Sequence, residues 1–222
     1  MRIIDDGFYP WLVEAASFDS LLQIPRIKAQ SKQIIPENLI PFSKISCSQT
    51  HDEFIHFYEH DVVFRKVLQE PEEYVQKFYP FPGIITPDCS LYRDMPLTLQ
   101  LTNTYMSRAV GCYFQEQGIY VIPNIRWGDE RSYKERVVGD IPFAFIGVEQ
   151  NSVVAISTYG CIRGRENRYH FRAGLNAMME YLKPQVVLVH GSMPEDVFCD
   201  ALPLAEFYQY ENWISQKRKK VC

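Results

Sequence analysis

Short apolar runs alternate with stretches of helical spacing from about residue 39 onward. Leu39–Ile45 reads as a weak strand and Phe54–Tyr58 as a second. Thr50–Glu53, just before the second, also has the form of a capping box. Residues 61–79 are predicted helical with a break at Pro71, which can restart the helix as a first-turn proline. Gly83–Thr86 is a short buried strand. Residues 96–117 form a helix, with Leu97, Leu101, Tyr105, Ala109 and Cys112 near helical spacing. Further strands are predicted over Ile119–Ile122, Pro142–Gly147, Val153–Ser157 and Val186–Val189, and a helix over 170–183. Ser192–Glu195 has the capping-box pattern, and residues 204–220 read as a terminal helix with a basic end at Lys217–Lys220.

Continuously apolar strands that alternate with helices imply a mostly parallel sheet with helices on the outside. The expected fold is therefore α/β, with a barrel-like or partly open sheet. At 222 residues the chain is short for a complete eight-fold barrel of ~250 residues. Residues 1–38, interrupted by Pro10, Pro25 and Pro36, read as an irregular wrap over a single α/β domain spanning 39–222.

Composition narrows this picture. A chain that is 46% hydrophobic and 14% aromatic can bury a substantial core. The net charge of -4 argues against a generally basic, nucleic-acid-coating protein. Six scattered cysteines without a CxxC pair, and five histidines, give no zinc pattern and read as reduced thiols. The first residues lack a basic leader followed by an apolar run, and no apolar stretch has membrane-spanning length. A cytoplasmic location is the expectation.

In parallel α/β folds, ligands bind beyond the carboxyl ends of the strands. The runs here end in Glu59-His60-Asp61, in Thr86-Pro87-Asp88 followed by Tyr92, Arg93 and Asp94, in Asn124, Arg126 and Trp127, in Thr158-Tyr159-Gly160, and in His190. If the strands are parallel, these residues converge. Asp88 leads as candidate, with an Asx-type turn as its structural alternative. Asp61 and Asp94 are possible second carboxylates, and each also suits a helix N-cap. Asn103 and Arg108 on the 96–117 helix are candidate pocket residues or part of a solvated face. His190, a lone histidine, reads as a ligand contact or a satisfied structural group. Arg163 and Arg165 sit in a glycine-bearing loop that suits an anion or forms a solvated basic turn.

The runs from Gly83 to Pro96, from Gly118 to Gly128 and from Ile156 to Gly160, with Asn103–Tyr105 and Ser107-Arg108, resemble a bacterial and phage family, domain of unknown function 4417. The resemblance extends across residues 36–195. It implies an intracellular protein of a mobile element and carries no activity with it.

Three functions compete. One is an enzyme acting on a glycosidic or phosphoester bond of a nucleotide, nucleoside or nucleic acid. Asp88 would be its base or nucleophile, Asp61 or Asp94 the second carboxylate, and Mg²⁺ a candidate cofactor. In this reading Tyr92, Asn124, Arg126, Trp127, Tyr159, Arg163 and Arg165 contact a small phosphorylated ligand or nucleic acid. The second is a non-catalytic protein that binds a nucleotide or a host protein. The third, a DNA-binding accessory factor using the basic tail, lacks a helix-turn-helix or finger pattern.

Overall fold

The computed structural model describes residues 9–134 and 142–213. The segment before residue 39 is largely irregular. It contains a 3₁₀ turn at Pro10–Val13 and an antiparallel pair, β1 (Phe18–Asp19) with β2 (Ile24–Pro25). The α/β part runs β3 (Leu39–Pro41), β4 (Phe54–His56), α1 (Asp61–Gln69), α2 (Glu72–Phe78), β5 (Ile84–Ile85), α3 (Leu97–Glu116) and β6 (Val121–Ile122). It continues as α4 (Glu130–Tyr133), β7 (Val153–Ser157), α5 (Arg165–Leu182), β8 (Val186–His190), α6 (Glu195–Phe198) and β9 (Glu206–Tyr210).

Strands β3 to β6 form one parallel sheet and β7 to β9 another, each in sequence order. A parallel bridge between Asn124 and Ala155 joins them. There the Ala155 amide donates to the Pro123 carbonyl (3.0 Å), and the Ala155 carbonyl accepts from the Ile125 amide (2.8 Å). Parallel neighbours joined in order by right-handed crossovers place their helices on one side. The other side can leave water only if the sheet curls upon itself.

The packing follows that requirement. Ile55, Ile84, Val121, Val154, Ile156, Val187 and Val189 belong to the two clusters shared with the helices. Their strand neighbours Phe54, Ile85, Ile122, Val153, Ala155, Val186 and Leu188 form a separate inner cluster with Leu39 and Tyr210. Each fully buried large apolar side chain contributes about 1.5–3 kcal/mol relative to exposure, so two faces of burial hold the curvature. No strand ladder joins β3 to β9 among the described residues. Instead the Tyr210 hydroxyl donates to the Pro36 carbonyl across 2.7 Å, in a buried position. Among the described residues the sheet is thus partly open, without a closed barrel. Among the described residues no helix is long and apolar enough to cross a membrane.

Five local expectations need correction. Pro142–Gly147 is not a strand: Phe143–Phe145 is a 3₁₀ turn. The buried Arg108 guanidinium takes the carbonyls of Ala144 (3.2 Å) and Ile146 (3.1 Å), which removes them from any ladder. The expected terminal helix is replaced at Glu206–Tyr210 by β9, which pairs with β8 over five residues. The apolar spacing of Leu204, Phe207 and Tyr208 imitated a helix, but the open edge of β8 offered backbone partners that a helix would leave unused. The remainder of that helix, with Lys217–Lys220, lies outside the described residues. Thr50–Glu53 opens no helix, and Ser192–Glu195 forms no capping box: α6 begins at Glu195 with Pro194 as its cap, and the Ser192 carbonyl accepts from Thr158 Oγ1 (2.8 Å). Helix α5 also starts at Arg165, ahead of the predicted residue 170, because its first turns are polar and carry no apolar period.

Tyr210→Phe should cost about 1 kcal/mol, because it strands the buried Pro36 carbonyl. Urea denaturation of the variant measures this. An unchanged midpoint would mean that the seam is held by apolar packing alone.

Candidate functional site

The polar strand ends meet at one place. Thr86 follows β5 fully buried, where its Oγ1 accepts from the Asn124 amide (2.9 Å) and lies 3.3 Å from the Ser107 hydroxyl of α3. Ser107 also donates to the Pro87 carbonyl (2.8 Å). These contacts lock the exit of β5 to that of β6 and bring Asp88 onto Asn124 and Arg126. Asn124 Nδ2 donates to Asp88 Oδ1 (2.7 Å), and Arg126 Nη1 donates to Asp88 Oδ2 (2.8 Å). The Tyr58 hydroxyl donates to Asn124 Oδ1 (3.1 Å) from the far side.

The loop carrying Asp88 is held from two more directions. The Asp61 carboxylate accepts from the Ser90 amide (3.1 Å) and hydroxyl (2.8 Å), and Asn103 Nδ2 donates to the Ser90 carbonyl (2.6 Å). Asp61 is therefore the first residue of α1 and a brace for this loop; the cap position belongs to His60. Asp94 is exposed and does not cap α3, whose cap position is Pro96. Arg108 spends its guanidinium on backbone carbonyls. Besides Ala144 and Ile146 it donates to the Asn124 carbonyl (2.8 Å), so it clamps the backbone behind the site. Burial lowers its pKa to about 10, against the raising influence of Cys112 and Cys89.

Asp88 and Arg126 open on a cavity of about 150 Å³. Trp127, Phe171 and Leu91 give it apolar walls, and Ser157, Cys161 and His170 add polar groups. The Trp127 and Phe171 rings stand 5.0 Å apart. Tyr92 lies at its edge. Arg163 and Arg165 are exposed and are not among the cavity walls.

Electrostatics set the two charged groups apart. Burial pushes the Asp88 carboxyl above its ordinary value, the opposing pull of Arg126 and Asn124 does not cancel this, and the nearby Asp61 adds to it. For Arg126, burial works against the charge, but Asp88 outweighs it and the guanidinium is held above its usual value. Arg126 Nε is buried without a partner. Among the described residues, no three His, Cys, Asp or Glu side chains converge as a metal-ligand set.

Beneath the site lies a stack that the strand pattern alone did not single out. His190 packs against both Tyr58 (rings 4.7 Å apart, nearly parallel) and His56 (4.7 Å), whose own rings are 5.2 Å apart. Its Nδ1 is 3.1 Å from Ser157 Oγ. Tyr159 stands at 6.0 Å on the outer side. His56, Tyr58 and Ser157 are residues that sequence reasoning missed. Their signal was available: His56 and Tyr58 follow Phe54 at a period of two, which places all three on one face. Burial depresses both histidines, His190 to about 4, with His56 pushed further down by its neighbour.

These features define a class: a curved, partly open parallel α/β protein with a buried carboxylate–arginine pair at the strand C-termini. The chain belongs to the family described as domain of unknown function DUF4417, which matches residues 16–211. Its relatives include the Gene 1 proteins of Mycobacterium phages D29 and L5. Each is 32% identical over 167 residues, 75% of this chain. The match spans 58% of the D29 protein, less than two thirds of its length, and 68% of the L5 protein. No solved structure matches the chain.

Two measurements follow from the site's packing. Folded His190 is neutral, whereas the unfolded imidazole takes a proton near pH 6.5, so stability present above that pH is lost as pH falls toward 4. The slope is up to about 1.4 kcal/mol per pH unit. The stability difference between wild type and His190→Asn should narrow across this window in chemical denaturation; a constant difference would refute the buried neutral histidine. Separately, Gly174 of α5 lies against the Trp127 indole, where a Cβ would overlap the ring nitrogen. Gly174→Ala should cost about 1–3 kcal/mol and shift tryptophan emission. An unaltered spectrum and midpoint would show that Trp127 is free to move aside.

Proposed function

We propose that this chain is an enzyme acting on the glycosidic bond of a nucleotide or nucleoside, with Asp88 as general base. The observation that supports this most is a buried carboxyl, held above its ordinary pKa, at the base of a small aromatic-walled cavity. A base whose pKa is moved toward the working pH is the more effective one. Trp127 and Phe171 offer apolar faces to a planar base. Asp88 would take a proton from water as the water oxygen attacks the anomeric carbon. The carbon–nitrogen bond then breaks with its electron pair going to the departing base, which takes a proton from solvent as Asp88 releases the one it gained. The Arg126 guanidinium, whose Nε is unpartnered, would steady that developing negative charge.

Mg²⁺-assisted phosphoester cleavage requires carboxylate oxygens free to ligate the ion. Asp61 is committed to Ser90, so among the described residues Asp88 is the one carboxylate that lines the cavity, and a single carboxylate paired with Arg126 suits the glycosidic reading better. One lone-pair position on each Asp88 oxygen still remains for water. The double commitment of Asp88 favours a second reading, a non-catalytic mobile-element protein that holds a nucleotide or a host protein.

Incubation with nucleosides and nucleotides, followed by chromatography for free base, tests both. Asp88→Asn should reduce base release by roughly 10²–10⁴-fold, with a Tm within about 4 °C of wild type. Full turnover by the variant, or its unfolding, would make Asp88 structural. Retention of a nucleotide by wild type without product would establish the second reading.

A further inference from the structure

The cavity at Asp88 is smaller than the ligand class proposed for it. About 150 Å³ lies well under the ~300 Å³ at the low end for sites that enclose drug-sized molecules. A single heterocycle fills such a space, so the sugar and phosphate attached to it must lie outside, against the rim. The rim has an unusual composition for a surface left to water. Tyr92, Tyr159 and Tyr169 expose 53%, 63% and 59% of their surface. Tyr92 lines the cavity itself; Tyr159 precedes Gly160, and Tyr169 precedes His170, both of which line it.

Two arginines stand nearby, Arg163 in the loop after Tyr159 and Arg165 as the first residue of α5. Arg163 and Arg165 are exposed, and neither has a carboxylate partner among the described residues. The Arg163 carbonyl accepts from Asn167, another cavity residue (2.8 Å), which fixes this loop to the mouth. Gly160 and Gly164 in the loop leave open space where a side chain would project. The neighbouring pairs Arg93–Glu166 and Arg168–Asp196 are partly exposed, and such pairs are held weakly enough to rearrange around a polyanion.

We propose that this rim is a track for single-stranded nucleic acid: bases stack on Tyr92, Tyr159 and Tyr169, Arg163 and Arg165 meet phosphates, and one base enters the cavity. Exposed aromatic rings interleaved with cations suit strands whose base faces are free. In a duplex those faces are covered, and a base would first have to leave the stack. The net charge of -4 sets the affinity lower than that of a basic coating protein and confines binding to this mouth. The inference rests on the glycosidic-site reading for what occupies the cavity, but its test reads binding and not base release.

The test is fluorescence anisotropy of the full chain with a labelled oligothymidylate, the same strand annealed to its complement, and thymidine monophosphate as competitor. The single strand should bind at least tenfold more tightly than the duplex, and the mononucleotide should compete only at far higher concentration. Tyr159→Ala should weaken binding roughly tenfold. Arg163→Ala with Arg165→Ala should lower the log–log salt slope by roughly 0.7 per arginine. All three side chains are exposed, and circular dichroism should show unchanged folds. Equal affinity for duplex and single strand, or binding indifferent to these variants, would overturn the proposal, as would full competition by equimolar mononucleotide. Strand binding without release of base from any substrate would leave the track standing and remove the glycosidic reading.

Discussion

Burial of the inner face of the sheet is the constraint on which the rest of this molecule depends. Seven parallel strands among the described residues follow one another in sequence order across two bridged sheets. That order commits the helices to one side. The uncovered face then has one partner available, itself. Leu39, Phe54, Ile122, Val186 and Tyr210 meet across the interior, and the same curvature draws the carboxyl ends of the strands together. The site is a by-product of that closure. Where the interior rises toward the strand ends, apolar side chains give way to His56, Tyr58, Asn124, Ser157 and His190, all buried.

The cost of this arrangement is electrostatic. Asp88 and Arg126 face each other at 2.8 Å, yet burial still drives the carboxyl upward. A pair whose charged form is disfavoured on one side is a weak source of stability. It is maintained by several side chains: Thr86 and Ser107 fix the strand exits, while Asp61 and Asn103 hold the loop through Ser90. Four side chains support one buried carboxylate, and an apolar residue at position 88 would need none of them.

Helix α3 shows how far a helix can be read without its role. Its span was legible from Leu97 to Cys112 and matches Leu97–Glu116 closely. Arg108 on that helix was legible only as a polar residue. Its guanidinium reaches three carbonyls that lie 16, 36 and 38 residues away, and no local pattern announces such a partner. The same contact turned an apolar run at Phe143–Ile146 into a 3₁₀ turn. At β9, alternation and helical spacing coincided in a few aromatic residues, and the free edge of β8 decided between them.

By itself the sequence determined the class of fold, the positions of β3 to β8 apart from a false strand at Pro142–Gly147, the long helices, and the polar strand ends around Thr86-Pro87-Asp88 as the place to look for a site. Those features are local, because hydrophobic period and turn chemistry act over a few residues. Only the tertiary structure decided which strand ends touch. It joined Asp88 to Asn124 and Arg126, reassigned Asp61 from cap to brace, left Asp94 in solvent, and buried His56 beneath His190. Each of these depends on sheet curvature, and curvature arises when distant strands bury a common face.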